Sequence, residues 1–295
     1  MGERMIRVGD VELWTEDFGD TTDPTVLLIQ GPASGIFWPD SLCEALAEGG
    51  RHVIRYDHRD TGMSTTVDFS TDPYTLSDVA ADAVGVLDAY SVPAAHVIGF
   101  SGGGMVAQTV ALEHPERVRT LTSWGSTPLA ASFVAPDGGG SGLPGPAPEV
   151  MEALLWTLQP AADDDERADR FIGMLRAYAG MLEPFDEQEA RDIVKRMFAQ
   201  TQSPAAFVNH HLAWAASPDR TEMLAKVEAP TLVIHGTADP VVPLVHAEAT
   251  AKAIRGARLL TIDGMGHDFP RPALPQIVTA ILEHTALVGA RKARV

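Results

Sequence analysis

Cysteine is nearly absent: Cys43 is the only one in 295 residues. No internal disulfide can form, and within "SLCEALAE" the thiol reads as an apolar residue on a helix face rather than as a reactive group. Positive charge is scarce too, with 22 Lys and Arg against 40 Asp and Glu and a net charge of −18 at pH 7. That balance argues against a sequence-independent grip on phosphate backbones or anionic membranes, so neither nucleic acid nor membrane is expected as a partner. Long apolar runs are missing. No stretch approaches the roughly 18 residues of a membrane span, and the opening "MGERMIRVGD" lacks the basic-then-apolar pattern of a secretory signal. The expectation is a cytoplasmic protein. His and Cys do not cluster at metal-ligand spacing, no P-loop occurs, and the "GGG" run is no dinucleotide fingerprint. Neither a metal nor an organic cofactor is expected.

What remains is an ordinary globular composition, 45% apolar and 21% charged, long enough for one α/β domain carrying an insertion. Short β-like runs alternate with helical ones: "TVLLIQ" at 25–30, "HVIRYD" at 52–57, "AHVIGF" at 95–100, "VRTLTSW" at 118–124, "TLVIHG" at 231–236 and "RLLTID" at 258–263. Their nearly continuous apolar character predicts parallel strands covered on both faces by the intervening helices. One such helix is expected from Thr75 to Tyr90, where Leu76, Val79, Ala80, Ala83, Leu87 and Tyr90 recur at helical spacing and Ser77, Asp78, Asp82 and Asp88 face water. The opening "MIRVGDVELWTEDFG" alternates and turns at Gly9-Asp10, which predicts an antiparallel hairpin at the sheet edge.

The alternation fails from about Ser126 to Arg220. This stretch starts with the loop "APDGGGSGLPGPAPE", a candidate hinge, and continues through helix-like segments near 150–158, 168–181, 187–200 and 205–216. The expected organisation is a core of residues 1–125 and 221–295 interrupted by a helical cap of residues 126–220. A basic tail, "GARKARV", is expected to fray at the C-terminus.

Chemistry concentrates in "AAHVIGFSGGGMVAQTVAL", residues 94–112, where Gly99 to Gly103 match G-x-S-x-G. In a nucleophile elbow a strand turns sharply into a helix, forces the serine into strained backbone and leaves room only for glycine beside it. Ser101 would stand above the carboxyl edge of the sheet, where ligands bind in open α/β folds. A serine hydroxyl needs a base within hydrogen-bond reach, itself held by a carboxylate, and in this architecture the chain order is Ser, acid, His. Asp239 in "HGTADPVVP" and His267 in "DGMGHDFP" follow the last two predicted strands and supply both. Asp263 and Asp268 are the alternative acids. Among the other histidines, His52 starts a strand, His235 lies inside one, His114 ends a helix, and His210 and His211 sit in the insertion; none of these five follows the last strand.

A developing oxyanion needs backbone donors. Gly102 N–H, directly after the serine, is the first. The second is expected from "GPASGIFWP", but Pro32 has no N–H to give, which leaves Gly31, Ala33 or a neighbour. The segment "RYDHRDTGMSTTVDF" reads as a loop braced by Arg55, Asp57, Arg59 and Asp60, with Arg59 at the substrate as the alternative. Within the insertion, Trp156, Met174, Tyr178, Phe207 and Trp214 are candidate pocket residues, with lid packing as the competing reading.

With "GFSGG", the terminal "GMGH", "GDVELWTEDFGD", "LAEGG" before "RHVIRYD", "RYDHRDTGMSTTVDF" and "LPGP" together, the chain resembles the α/β-hydrolase superfamily over nearly its whole length. Within it, the chain is similar to the aclacinomycin methylesterase group of bacterial carboxylic ester hydrolases, which act on anthracycline-type polyketides. The resemblance implies Ser101 as nucleophile, Asp239 as acid, His267 as base, and a small-molecule ester as substrate. It departs at Gly31-Pro32, where that group tends to carry a Gly pair. Proline iminopeptidases, with a Gly-Gly-Pro-Gly loop and lid acids, and cofactor-free haloperoxidases or perhydrolases, which share the triad, are the competing enzyme classes. A non-catalytic small-molecule binding protein is the competing reading of another kind.

Overall fold

A computed structural model of the chain describes residues 2–128, 142–201, 203 and 206–292. An antiparallel hairpin opens the chain: β1 (Gly2–Val8) pairs with β2 (Val11–Phe18) in a register that sets Val8 opposite Val11. β2 then lies antiparallel to β4 (His52–Tyr56), with Thr15 opposite Tyr56. The other pairings, among β3 (Thr25–Ile29), β4, β5 (Ala95–Phe100), β6 (Val118–Trp124), β7 (Thr231–Gly236) and β8 (Arg258–Ile262), are parallel, and the sheet order is β1-β2-β4-β3-β5-β6-β7-β8.

The continuous apolar runs follow from two-sided cover. Along β3, Leu27 and Ile29 enter one core with α2 (Leu76–Ala89) and α3 (Gly102–Glu113), whereas Val26 and Leu28 enter the other with α1 (Asp40–Glu48) and α9 (Leu274–Lys292). β8 departs from the expectation: it is the last strand of the sheet, and Arg258 and Leu259 are exposed. Cys43 is buried among α1 residues, and burial pushes its thiol up to about 12, out of reach of thiolate chemistry near neutrality.

α2 begins as its sequence predicts. Thr75 caps it through a reciprocal box with Asp78, satisfying two amides that lack intrahelical partners. Asp82 is the exception on its polar face: it is buried, and both its oxygens bind Arg59, at 2.7 and 2.8 Å. An isolated charge there would be costly, and the bidentate pair makes burial tolerable.

Between β6 and β7 stand α4 (Pro148–Thr157), α5 (Asp164–Tyr178), α6 (Glu187–Gln200) and α7 (Val208–Ala215). α5 and α6 build a third apolar cluster, in which Phe171, Met174, Val194 and Met197 meet Trp14 and Ile36, whereas Val150 of α4 and Ala213 and Trp214 of α7 join the first core. α5 ends at Tyr178 rather than at residue 181, because the next backbone groups bind the loop after β8: His267 N–H donates to Tyr178 O at 2.8 Å, and Met181 N–H to Gly264 O at 2.7 Å. Residues 135–141 of the candidate hinge and Ala205 lie outside the described residues, as do residues 293–295 of the tail; α9 carries the backbone to Lys292. Among the described residues, no helix is long and apolar enough to cross a membrane.

Candidate active site

Ser101 occupies the turn from β5 into α3 with φ 57° and ψ −126°, a region that L-residues seldom adopt. The turn is held by Ser101 N–H on Trp124 O and Gly104 N–H on Ser101 O, both at 2.9 Å. Close approach explains the flanking glycines. A Cβ on Gly103 would collide with Ile29 O, and one on Gly99 with Gly103 O, backbone atoms that cannot yield.

Asp239 and His267 come from the loops after β7 and β8, the carboxyl edge that also presents Ser101. His267 Nδ1 stands 2.8 Å from Asp239 Oδ2, while Asp239 Oδ1 accepts the amides of Val241 and Val242 at 2.9 and 2.8 Å. All three side chains are buried, and Ser101 and His267 line one cavity of about 670 Å³. Phe100 lies against the imidazole, ring centres 4.7 Å apart, and Tyr178 meets it edge-on at 5.6 Å. With the backbone bond from His267 to Tyr178, the ring is confined on several sides.

The other candidates lie elsewhere. Asp263 is exposed and accepts the Thr237 hydroxyl, and Asp268 accepts Gly180 and Gly266 N–H, burial raising its carboxyl. His235 Nε2 sits on Val242 O at 2.6 Å, behind Asp239, and His210 Nε2 on Arg59 O at 2.7 Å.

Met174, Tyr178, Phe207 and Trp214 line the cavity with Ile36, Val150 and Phe171, an apolar wall above a polar floor. Trp156 is not part of that lining. It is 44% exposed, with the Arg170 guanidinium 5.4 Å from its ring. Exposed Asp40, Glu189 and Arg271 mark the solvent end. A second cleft, about 730 Å³, opens at the opposite strand ends near Thr25, His52 and Ala94.

Gly102 is the first residue of α3, so its N–H has no intrahelical acceptor. The loop after β3 differs from its simplest reading. Gly31 is adjacent to Ser101, since a Cβ on it would stand 3.4 Å from Ser101 Oγ. Yet Gly31 N–H donates to Gln30 Oε1 at 2.8 Å, and Ala33 N–H donates to Gly31 O at 2.7 Å. Gln30 also lines the cavity and was not singled out from the sequence; the available signal was a polar residue ending an apolar strand, two positions before a proline that lacks a donor.

The "RYDHRDTG" segment braces this floor. Arg55 is fully buried between Glu16 and Asp40 and donates to Trp38 O. Asp57 accepts from Ser34 Oγ and the amides of Gly35 and Met63, and burial pushes its carboxyl up to about 6. Arg59 is committed to Asp82 and is absent from the cavity lining.

Residues 24–270 match the sequence profile of the α/β-hydrolase fold family. The chain is 38% identical over 296 aligned residues to a rhodomycin D methylesterase, DauP, of Streptomyces sp. (strain C5), covering 97% of this chain and 98% of the relative. It is also 38% identical, with the same coverage, to the rhodomycin D methylesterase DnrP of Streptomyces peucetius. Among solved structures, the 2-hydroxy-6-oxo-6-phenylhexa-2,4-dienoate hydrolase of Rhodococcus sp. strain RHA1 superposes with a TM-score of 0.76 over 96% of this chain and 97% of that one; at 20% identity this likeness concerns the fold.

Proposed function

The chain belongs to the α/β-hydrolase fold family, and from that premise we propose that it is a serine carboxylic ester hydrolase whose substrate is the methyl ester of a polycyclic, polyketide-type compound. The observation that carries the reading is the pairing of His267 Nδ1 with Asp239 at 2.8 Å, on a histidine that shares its cavity with the strained Ser101. Such a pair fixes the tautomer that can take a proton at Nε2.

Ser101 Oγ attacks the ester carbonyl while His267 takes its proton, and Asp239 stabilises the imidazolium. Collapse of the tetrahedral adduct releases methanol, to which His267 returns the proton. Water, activated by the same imidazole, then cleaves the acyl-enzyme and frees the acid. The methyl ester and the polycyclic acyl group rest on the likeness to the two rhodomycin D methylesterases. A cavity of about 670 Å³ with aromatic and aliphatic walls suits a fused-ring acyl group. Helices α4–α7 act as the cap over the core, supplying Met174, Phe207 and Trp214 to those walls.

The test pairs turnover with labelling. A series of p-nitrophenyl esters from acetate to decanoate and a methyl ester of a polycyclic aromatic acid are assayed on wild type and Ser101→Ala, with a serine-directed phosphonate read by intact mass. One adduct on wild type, none on the variant, and methyl-ester turnover lost in the variant are expected. Turnover surviving in Ser101→Ala would sink the nucleophile assignment, and absence of both labelling and turnover in wild type would favour a binding protein.

A further inference from the structure

We propose that Gln30 supplies the second oxyanion donor through the Nε2 amine of its side chain, in place of a backbone amide from the loop after β3; this rests on the ester-hydrolase reading above. Gly102 N–H provides one donor. The three loop residues that follow Gln30 in the cavity lining have none to add in the arrangement observed, because Gly31 N–H is engaged by Gln30 Oε1, Pro32 has no N–H, and Ala33 N–H is engaged by Gly31 O.

The bond that engages Gly31 also orients Gln30. A carboxamide has one accepting and one donating end, and only the oxygen can receive an N–H. With Oε1 fixed on Gly31, Nε2 is presented the other way. Gln30 lines the cavity shared by Ser101 and His267, and Nε2 has no hydrogen-bond partner among the described residues. Nor is it among the sealed, unpartnered polar atoms of the interior, so the little surface that it retains is cavity surface.

Both ends of the residue are held. Gln30 O accepts from His58 Nε2 at 2.8 Å, and the His58 ring is fully buried beside Tyr56 and His210. A donor fixed in advance needs no reorganisation when charge develops, which is what makes such groups effective in a water-poor site. As Ser101 Oγ bonds to the carbonyl carbon, the C=O π pair moves onto oxygen and its proton passes to His267. Gly102 N–H and Gln30 Nε2–H stabilise that oxyanion until the pair returns and the C–O bond to the leaving alkoxide breaks.

The competing arrangement is a plug: Gln30 swings away and Gly31 N–H becomes the donor. Two variants separate them on a p-nitrophenyl ester. Gln30→Met removes the amide at similar length, and Gln30→Glu keeps an acceptor for Gly31 while removing the donor and adding negative charge. A side-chain donor predicts that kcat falls about 100-fold in Gln30→Met with KM within about twofold, and further in Gln30→Glu. The affinity of a trifluoromethyl ketone, which forms the tetrahedral oxyanion, should fall in parallel with kcat/KM, a correlation that a purely structural defect would not produce. Unchanged or raised kcat in Gln30→Met overturns the proposal in favour of the plug. If Gln30→Met fails to fold, Gln30→Glu carries the test, and kcat undiminished there overturns it equally. Wild-type labelling and turnover, run alongside, belong to the hydrolase reading, so its failure is seen in wild type and the failure of this proposal only in the variants.

Discussion

Asp239 divides its work between two oxygens: Oδ1 takes the amides of Val241 and Val242, and Oδ2 faces His267. Asp239→Asn should therefore fold normally, since a carbonyl oxygen still serves both amides. The new Nδ2, a donor, would face Nδ1 and force the imidazole proton onto Nε2, the wrong tautomer for accepting a proton from Ser101. A kcat loss on the order of 10⁴-fold with an unchanged melting temperature is expected. Loss of less than tenfold would remove Asp239 from the proposed triad. Its position was legible because parallel strands deliver their carboxyl ends to one edge, so a residue just after the "TLVIHG" run meets one just after "RLLTID". Gln30 was not legible in that way: its importance depends on which end of an amide faces Gly31, and no pattern in "TVLLIQG" encodes that.

The end of α5 poses the same problem for a longer segment. Apolar spacing carries the helix on toward Met181, yet residues 178–181 run along the His267 loop and exchange backbone bonds with it. Competition from a remote loop is invisible to periodicity, whereas α2, with a local capping box, is read almost to the residue. Gly180 makes this junction possible, because a Cβ there would collide with Gly266 N. Gly180→Ala should displace the His267 loop and lower kcat at least tenfold, since small misplacements of reacting groups are expensive. Gly173→Ala, in the interior of the same helix, meets only Trp156 at 3.5 Å and should stabilise by about 0.5–1 kcal/mol without affecting kcat. Equal effects of the two on kcat would mean that the junction does not position His267. Arg59 and Asp82 teach a related lesson: a charge pattern that reads as a solvated face is here half of a buried pair between a loop and a helix.

For the molecule as a whole, acid is the natural stress, because burial holds several imidazoles neutral. His58 and His96 are lowered to about 3 and His210 to about 4, each mainly by loss of solvent, from the usual 6.5. The unfolded chain therefore binds protons below about 6.5 that the folded chain refuses. Stability from this source is complete above 6.5 and is lost as pH falls from there toward 4 and 3. Asp57 acts in the opposite sense. Its carboxyl is pushed up to about 6 from 3.8 by burial, so its contribution is complete below 3.8 and is lost as pH rises through 6. Among the described residues, the seven imidazoles that burial lowers, His58, His96, His210, His211, His235, His246 and His284, outnumber the three carboxyls that burial raises, Asp57, Asp82 and Asp268, and the net slope between pH 6 and 4 points toward unfolding on acidification, each uncompensated proton being worth about 1.4 kcal/mol per pH unit. The melting temperature should be nearly flat from pH 8 to 6.5 and fall steeply by pH 4.5. Because His58 and His210 face each other at 5.4 Å, with Arg59 adding to the repulsion, His210→Gln should flatten the slope by retaining a donor for Arg59 O without a titrating ring. A slope unchanged in His210→Gln would place the acid sensitivity in other groups.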